Sequence, residues 1–387
     1  MVFYIVLITA LLLSLAYLFL YLFKIQLQLR QEPAKAKYRY VKNEKPTFTH
    51  STSSKKVNET CSKSLHKSLK KLERKYSRII LTHGTFVGDD VFGITPLLEK
   101  NTSQINAAFL TKVKSIAALG TDKIAGDQGK FTDKYKATLK EHMSQNFQLD
   151  TFTWGSENNH AGRFRGFISL VKFLVANPQK NSRGKTLLIG HSHAAQVFAL
   201  LTRLKEESTE SEFGEFVLNN QFDLTLSTHE INEIRSMDFD FVTLGSPVRY
   251  KWGPGSYKVL HIINHKGGKL SGIGLKGLFK SKYGDYVQVL GTHGSDFVPT
   301  AAKDRELNNI LSGFLESSSI SPSTWYKTIY TASRLHPKGL NLLASFGEKD
   351  TNPVQSFFGH TVYLRIEYIC FVFDLISKFI DKSDATS

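Results

Sequence analysis

The chain has 387 residues, of which 41% are hydrophobic and 22% charged, and it carries a formal net charge of +16. A chain of this length can bury a large core, which favours one α/β domain with insertions over two independent domains. Its two cysteines, Cys61 and Cys370, suggest no disulfide framework, and we expect Cys370 to be a small buried apolar residue. The histidines lack the spacing of a metal site, so we expect no metal. We also expect no other cofactor.

Val2 to Phe23 is an almost unbroken apolar run. It is long enough to cross a hydrocarbon core of ~30 Å as a helix, and it lacks the basic start and the cleavage site of a secretory signal peptide. We therefore expect residues 1–24 to form a single-pass transmembrane anchor. Basic residues follow the run, so the positive-inside rule predicts that the rest of the chain lies on the cytoplasmic side of the membrane.

The excess of positive charge lies directly after this run. Between Lys24 and Lys75 there are fifteen Lys and Arg residues against four Glu. Basic residues beside a membrane gain roughly 1 kcal/mol each near anionic lipid, so the basic stretch 24–75 predicts an anionic membrane surface as partner. Nucleic acid is the rival partner, but no aromatic-basic interleaving and no nucleic-acid motif accompanies the stretch. We expect no nucleic-acid binding.

Residues 25–76 have the composition of a tether. From Arg30 to about Leu65 the chain is rich in Lys, Ser, Thr and Asn with little apolar periodicity, which is typical of a flexible segment. From Ser64 to Tyr76, leucines stand among lysines at helical spacing and predict a short basic amphipathic helix. Such a helix either covers the edge of a domain or lies on lipid.

Short apolar runs alternate with helical stretches through residues 77–387. This alternation predicts an α/β domain with a mostly parallel, doubly wound sheet. An acidic segment, Glu206 to Arg235, is predicted as an insertion of helix and loop, and an apolar helix is predicted from Thr361 to Phe379. The predicted strands are Arg78 to Thr82, Phe147 to Trp154, Lys185 to Ile189, Phe239 to Leu244, Tyr257 to Asn264 and Tyr286 to Leu290.

The most informative motif is Gly190-His191-Ser192-His193-Ala194, which follows a predicted strand and opens a predicted helix. A serine on so sharp a turn is lifted out of the sheet, and small residues flank it because Cβ atoms would collide there. The motif predicts that Ser192 is a nucleophile. The fifth residue is alanine where the common pattern has glycine, and alanine still fits.

Three further strings follow predicted strands. They are His83-Gly84-Thr85-Phe86, Thr153-Trp154-Gly155-Ser156-Glu157-Asn158 and Val242-Thr243-Leu244-Gly245-Ser246-Pro247. Together with the serine motif they span most of the chain from Arg78 to about Leu375. In these motifs the chain resembles the lipase-like α/β-hydrolases of the serine esterase and lipase superfamily.

The resemblance implies an oxyanion hole beside the serine. The amides of Thr85 and His193 would bind the oxyanion of a tetrahedral intermediate. His83, Gly84 and Gly190 would support this arrangement, since glycine lets the backbone approach the substrate.

The resemblance also implies an acid and then a histidine after the serine in chain order. His360 follows Ser356-Phe357-Phe358-Gly359 and precedes the predicted C-terminal helix, which is where the family places its base. His336, before Pro337, is the alternative base.

For the acid, Asp296 lies in a string that resembles the Asp-x-Val-Pro turn of many lipases. Asp285 is disfavoured, because at the start of a predicted strand it would point to the opposite end of a parallel sheet. Asp304 and Asp350 are poorer candidates. We therefore expect Asp296 to orient His360.

These residues together predict a membrane-anchored serine hydrolase that cleaves carboxylic esters, of acyl lipids or small acyl esters, through an acyl-enzyme. A thioesterase, amidase or acyltransferase would use the same three residues. A non-catalytic hydrolase-fold scaffold at a membrane would keep the serine turn only as structure. Residues 268–283 mix Gly, Leu, Ile and Phe with Lys, and predict either a mobile lid or an ordinary surface loop.

Overall fold

A parallel sheet organises the part of the chain that the computed structural model describes. The described residues are 47–50, 59–84, 131–179, 184–264, 301–315, 335–346 and 360–384, together with Asp285, Gln288, Gly291, Asp296 and Pro299. In these ranges there are seven strands: β1 Thr47–His50, β2 Tyr76–Thr82, β3 Gln148–Phe152, β4 Lys185–His191, β5 Phe239–Leu244, β6 Val259–Asn264 and β7 Leu340–Ser345. Their order is β1-β7-β6-β5-β4-β2-β3, and every pair is parallel.

Helices cover both faces of this sheet. The α-helices are α1 Glu59–Glu73, α2 Asp133–Glu141, α3 His160–Ala176, α4 Ala194–Glu206, α5 Glu212–Leu218, α6 Thr228–Ser236, α7 Ala302–Phe314 and α8 Ile369–Phe379. Short 3-10 helices lie at Val362–Leu364, Ile366–Tyr368 and Ile380–Asp384.

Successive strand residues point into two separate hydrophobic cores. Ile80 and Leu188 pack with residues of α3 to α7 on one face. Ile79 and Leu187 pack with residues of α1, α2 and α8 on the other face. Because both faces are covered, the central strands β4, β5 and β6 are buried at nearly every position, as expected of a parallel sheet. The predicted α/β class with a parallel sheet is therefore confirmed.

Most predicted strands are present with small changes at their ends. Of the predicted strand at Tyr286 to Leu290, only one residue lies within the described part of the chain. Gln288, in the middle of that run, is helical. A short apolar run is compatible with either a strand or a buried helix, so its period alone does not decide between them. The edge strand β1 and its neighbour β7 were not predicted.

The amphipathic helix α1 covers the domain. Leu65, Leu69 and Leu72 are all buried, and the helix packs against α8. Strand β1 and all of α1 therefore lie inside the range 25–76 that composition assigns to a tether with a short helix. The buried leucine stripe is the physical reason why this part of the basic stretch is folded.

Cys61 on α1 and Cys370 on α8 form a disulfide, with their Cα atoms 5.7 Å apart. The expectation of two unpaired cysteines, with Cys370 only an apolar filler, is therefore wrong. The two residues are separated by 309 positions in sequence. Only the packing of α1 on α8 brings them together, and spacing along the chain gives no sign of it.

The transmembrane prediction concerns residues that lie outside the described ranges. Among the helices of the described ranges, none is long and apolar enough to span a bilayer. The described ranges include neither Val2 to Phe23 nor residues 268–283. The anchor and the lid therefore stay predictions.

Candidate active site

The candidate site lies where the strand order changes direction. From β2 the chain moves outward to β3, and it then returns to the other side of β2 to form β4. Thr82 pairs with Gly190, so the segments that leave the carboxyl ends of β2 and β4 begin side by side. Ligands of open parallel sheets bind in the crevice at such a point.

Ser192 occupies a strained turn between β4 and α4. Its φ angle is 53°, in the left-handed region that a residue with a Cβ rarely adopts. Its N–H donates to the carbonyl of Leu244 at 2.9 Å, which fixes the turn to the end of β5. A Cβ on Gly190 would lie 2.9 Å from the Cβ of Ala194, so the turn needs glycine at its first position and a small residue at its fifth. The predicted strand, turn and helix are confirmed.

Gly84 lies against the serine. A Cβ on Gly84 would be 2.5 Å from the Cβ of Ser192 and 2.8 Å from the carbonyl oxygen of His191. No side chain fits in that space, so the His-Gly segment and the serine turn are in direct backbone contact. This is the closeness that the predicted oxyanion segment requires. Thr85 itself lies outside the described residues.

The segment after β3 fixes His83. The backbone N–H of Trp154 donates to Nε2 of His83 at 3.2 Å, and the indole N–H donates to the His83 carbonyl at 2.9 Å. Because Nε2 accepts, the proton of His83 is on Nδ1, which lies 2.8 Å from the Gly84 carbonyl and 3.1 Å from Ser156 Oγ. The Trp-Gly-Ser string therefore holds the His-Gly segment in place.

His360 pairs with Asp285. Nδ1 of His360 donates to Oδ1 of Asp285 at 2.9 Å, and both side chains are 1% exposed. The backbone N–H of Gln288 donates to the same oxygen at 2.8 Å, and the hydroxyl of Tyr363 lies 3.4 Å from Oδ2. The proton on Nδ1 leaves Nε2 as the basic nitrogen of a neutral imidazole.

The expectation that Asp296 is the acid is therefore corrected in favour of Asp285. The objection to Asp285 assumed that it begins a strand. Gln288 is instead helical and donates its amide to the Asp285 carboxylate, as residues in the first turn of a helix do. The carboxylate of Asp285 thus accepts from a helical residue three positions later and from His360.

His191 links the histidine to the serine turn. Its Nε2–H donates to the backbone carbonyl of His360 at 2.9 Å, and the two ring centroids are 4.6 Å apart. Burial, with a further contribution from His360, lowers the pKa of His191 well below its usual value, so the ring is neutral. His191 thus holds His360 against the serine turn, a role that the sequence analysis missed because a motif position between Gly and Ser carries no such signal.

The hydroxyl of Ser192 is buried, with the residue 1% exposed, and makes no hydrogen bond within the described ranges. A Ser192–His360 hydrogen bond is thus not formed in this structure. Catalytic hydrogen bonds are often long without substrate and tighten in the substrate complex. In the same ranges the amide of His193 at the start of α4 has no acceptor, so it is available to an oxyanion.

Asp296 belongs to a second buried cluster. Arg163 donates to both of its carboxylate oxygens, and Nη1 of Arg249 donates to Oδ1 at 2.7 Å. Nε2 of His160 lies 3.4 Å from Oδ2. Burial alone would raise the pKa of Asp296, but Arg163, then Arg249 and His160, hold it far below its usual range. Asp296 is thus the counterion of two arginines.

The remaining candidates do not join the site. Nε2 of His336 donates to the carbonyl of Ser246 at 3.0 Å, and its ring stacks on His261. Asp304 on α7 pairs with Arg165 on α3. Asp350 lies outside the described residues.

Comparison of the chain with protein-family models, with curated proteins and with solved structures found no match. Within the described ranges, no group of three or more His, Cys, Asp or Glu side chains is arranged to hold a metal ion. Function is therefore inferred from the geometry of the site.

Proposed function

We propose that the chain is a serine hydrolase of the α/β-hydrolase type that cleaves carboxylic esters through an acyl-enzyme. The observation that carries the proposal is the buried Asp285–His360 pair, which contacts His191, the residue before Ser192 on its strained turn. A nucleophilic serine needs a base, and the base needs a carboxylate that fixes its tautomer. The order Ser192, Asp285, His360 along the chain is the order of that superfamily.

The three residues have separate roles in the proposed reaction. His360 Nε2 takes the proton of Ser192 as Oγ attacks the ester carbonyl, and it then gives that proton to the leaving alcohol. Asp285 keeps the Nδ1 proton in place and stabilises the imidazolium that forms. Water, activated by His360, then releases the acid from Ser192 and restores the enzyme.

The oxyanion of the tetrahedral intermediate would form next to the His-Gly segment. The amide of His193 at the start of α4 would donate to it, with the positive end of the helix dipole adding to the attraction. Thr85, the residue after Gly84, would supply the second amide. The contact between Gly84 and Ser192 supports this placement, because it brings that segment to the reacting atom.

Labelling of the full-length chain in detergent with a fluorophosphonate probe tests the proposal. The full chain is used because β1 and Cys61 belong to the folded part. We expect one modified peptide carrying the probe on Ser192, and no labelling in Ser192→Ala or His360→Ala. Circular dichroism checks that the variants fold.

Hydrolysis of p-nitrophenyl esters by the same samples completes the test. We expect turnover in the wild type and none above background in Ser192→Ala. A folded wild-type chain that neither labels nor cleaves any ester would overturn the proposal in favour of a non-catalytic scaffold.

A further inference from the structure

Arg163 and Arg249 form a buried cationic cluster near His193, the residue that follows the proposed nucleophile Ser192. The side chain of Arg163 is fully buried, and that of Arg249 is 4% exposed. Arg163 lies in the first turn of α3, and Arg249 lies in the segment that follows β5. Both segments leave the carboxyl edge of the sheet, where Ser192 also lies.

The cluster reaches the site through His193. Nη1 of Arg249 lies 3.5 Å from the carbonyl of Gly291, and a Cβ on Gly291 would lie 3.1 Å from Nε2 of His193. Burial, followed by Arg163, lowers the pKa of His193 well below its usual value. The neutral imidazole of His193, the residue after Ser192, thus lies near the two guanidinium groups.

The charges in this cluster do not balance within the described ranges. Asp296 is the one carboxylate there that pairs with either arginine. Burial, followed by Arg163, lowers the pKa of His160 to about 3, so this ring adds no charge. Two guanidinium groups and one carboxylate leave a net positive charge on side chains that are almost fully buried, which is unfavourable unless a negative group approaches.

Arg249 also has unused donors. Among the described residues, its Nη1 alone has acceptors, Asp296 and Gly291, while Nε and Nη2 donate to none. Nε of Arg163 is buried without an acceptor in the same ranges. The planar fork of a guanidinium matches the paired oxygens of a carboxylate or phosphate.

We infer that Arg249, held with Arg163 by Asp296, binds an anionic group of the ester substrate, either a phosphate or a carboxylate. This inference rests on the proposed function and narrows it to esters that carry a negative charge near the scissile bond. The anion would neutralise the cluster and accept from the unused donors of Arg249. Arg249 is then a specificity-determining residue, and Asp296 is a positioning residue.

The test compares the hydrolysis of matched esters that differ by one anionic group. One pair is p-nitrophenyl hexanoate and the p-nitrophenyl monoester of adipic acid, and the other is a monoacylglycerol and its 3-phosphate. We expect the wild type to prefer the charged member of at least one pair in kcat/KM. The pair in which this preference appears distinguishes a carboxylate from a phosphate.

Arg249→Gln removes the charge and keeps a hydrogen-bond donor. We expect the charged-to-neutral ratio of kcat/KM to fall by about ten- to a hundred-fold, since hydrogen bonds to charged groups contribute about 1.5–3 kcal/mol. Arg249→Lys should keep part of the preference. Arg165→Gln is the matched control, because Arg165 lies on α3 with Arg163 but pairs with Asp304 instead of Asp296. An unchanged ratio in a folded Arg249→Gln would overturn the inference.

A binding measurement separates this inference from the proposed function. At matched ionic strength, we expect inorganic phosphate or adipate to raise the melting temperature of the wild type more than chloride does, to raise that of Arg249→Lys less, and not to raise that of Arg249→Gln. This result would support the anion site even if no ester were cleaved. Hydrolysis of neutral esters with neither anion preference nor anion stabilisation in the wild type would overturn the anion site and leave the hydrolase proposal standing.

Discussion

Asp285 Oδ1 lies 2.9 Å from Nδ1 of His360, across 75 residues of sequence, and both side chains are buried. The same carboxylate accepts the amide of Gln288, so its orientation is fixed from the backbone as well. A histidine whose Nδ1 is held in this way presents Nε2 on the opposite side of its ring. The position of this pair beside Ser192 is the basis of the first prediction.

Asp285→Asn should nearly abolish ester hydrolysis. An amide at this position cannot stabilise the imidazolium and favours the wrong tautomer of His360, so we expect kcat to fall by about a thousand- to ten-thousand-fold. Steady-state kinetics on p-nitrophenyl esters measure this loss. A change of less than about ten-fold in a folded protein would contradict the role of Asp285.

Asp296→Asn is the matched comparison for Asp285→Asn, and we expect it to lower the stability of the domain. Removing the counterion leaves Arg163 and Arg249 buried and uncompensated, so we expect a loss of about 3–5 kcal/mol in the free energy of unfolding. Urea unfolding measures it. Fluorophosphonate labelling of Ser192 should persist in the folded fraction, whereas its loss with unchanged stability would restore Asp296 as the acid.

Gly84→Ala should misplace the serine turn. The added methyl group would lie 2.5 Å from the Cβ of Ser192, so one of the two segments must shift. A displacement of about 1 Å at reacting groups costs about a hundred-fold in rate, and we expect a fall of that order in kcat/KM.

The control for this variant is Gly313→Ala on α7. A Cβ on Gly313 meets no atom within 4 Å, so activity should be unchanged and stability should rise by about 1 kcal/mol. Equal activity in the two variants would show that Gly84 does not approach the serine in solution.

Removal of the Cys61–Cys370 disulfide should destabilise the domain. The bond closes a loop of more than three hundred residues, and we expect the double serine variant to lose at least about 2 kcal/mol in the free energy of unfolding. A reducing agent should lower the melting temperature of the wild type and leave that of the variant unchanged. Equal melting temperatures for oxidised and reduced wild type would contradict this prediction.

The same disulfide bears on the predicted cytoplasmic placement. Disulfides persist mainly in oxidising compartments, whereas the basic stretch after Phe23 predicts the cytoplasmic side. Differential alkylation of Cys61 and Cys370 in chain isolated from cells distinguishes the two. Free thiols support the cytoplasmic prediction, and protected thiols support the opposite orientation.

The buried histidines should make the domain sensitive to acid. Burial lowers the pKa of His336 to about 4. Its ring stacks on the ring of His261, and the two ring centroids are 3.6 Å apart. Because the unfolded chain binds this proton at a higher pH, the stability contributed is complete above about pH 6.5 and falls towards about pH 4 by about 1.4 kcal/mol per pH unit.

His336→Gln tests this dependence. Between about pH 4 and pH 6.5, we expect the free energy of unfolding of this variant to vary less steeply with pH than that of the wild type. The difference in slope should be that of one proton, about 1.4 kcal/mol per pH unit. His229→Gln, at an exposed position on α6, is the control and should keep the wild-type slope. Identical slopes in wild type and His336→Gln would contradict a depressed pKa at His336.

The sequence predicted those parts of the site that depend on local order. The strand before Ser192, the helix after it and the small residues on either side are contiguous, so their spacing alone indicates the turn. The same holds for His83 and Gly84 directly after β2. The fold class also followed from local alternation of strands and helices. The edge strand β1 could not be predicted, because four residues within the basic stretch carry no periodic signal.

The tertiary structure decided which partners meet. Several aspartates along the chain are candidates for the partner of His360. The choice between Asp285 and Asp296 depended on whether one short apolar run is a strand or a helix. The Cys61–Cys370 disulfide and the Arg163–Asp296–Arg249 cluster likewise join residues from separate elements. Sequence patterning thus determined the nucleophile and the sheet that presents it, because both are encoded by neighbouring residues. The acid, the disulfide and the buried charges were decided only by packing, because contacts over such separations depend on how the helices cover the sheet.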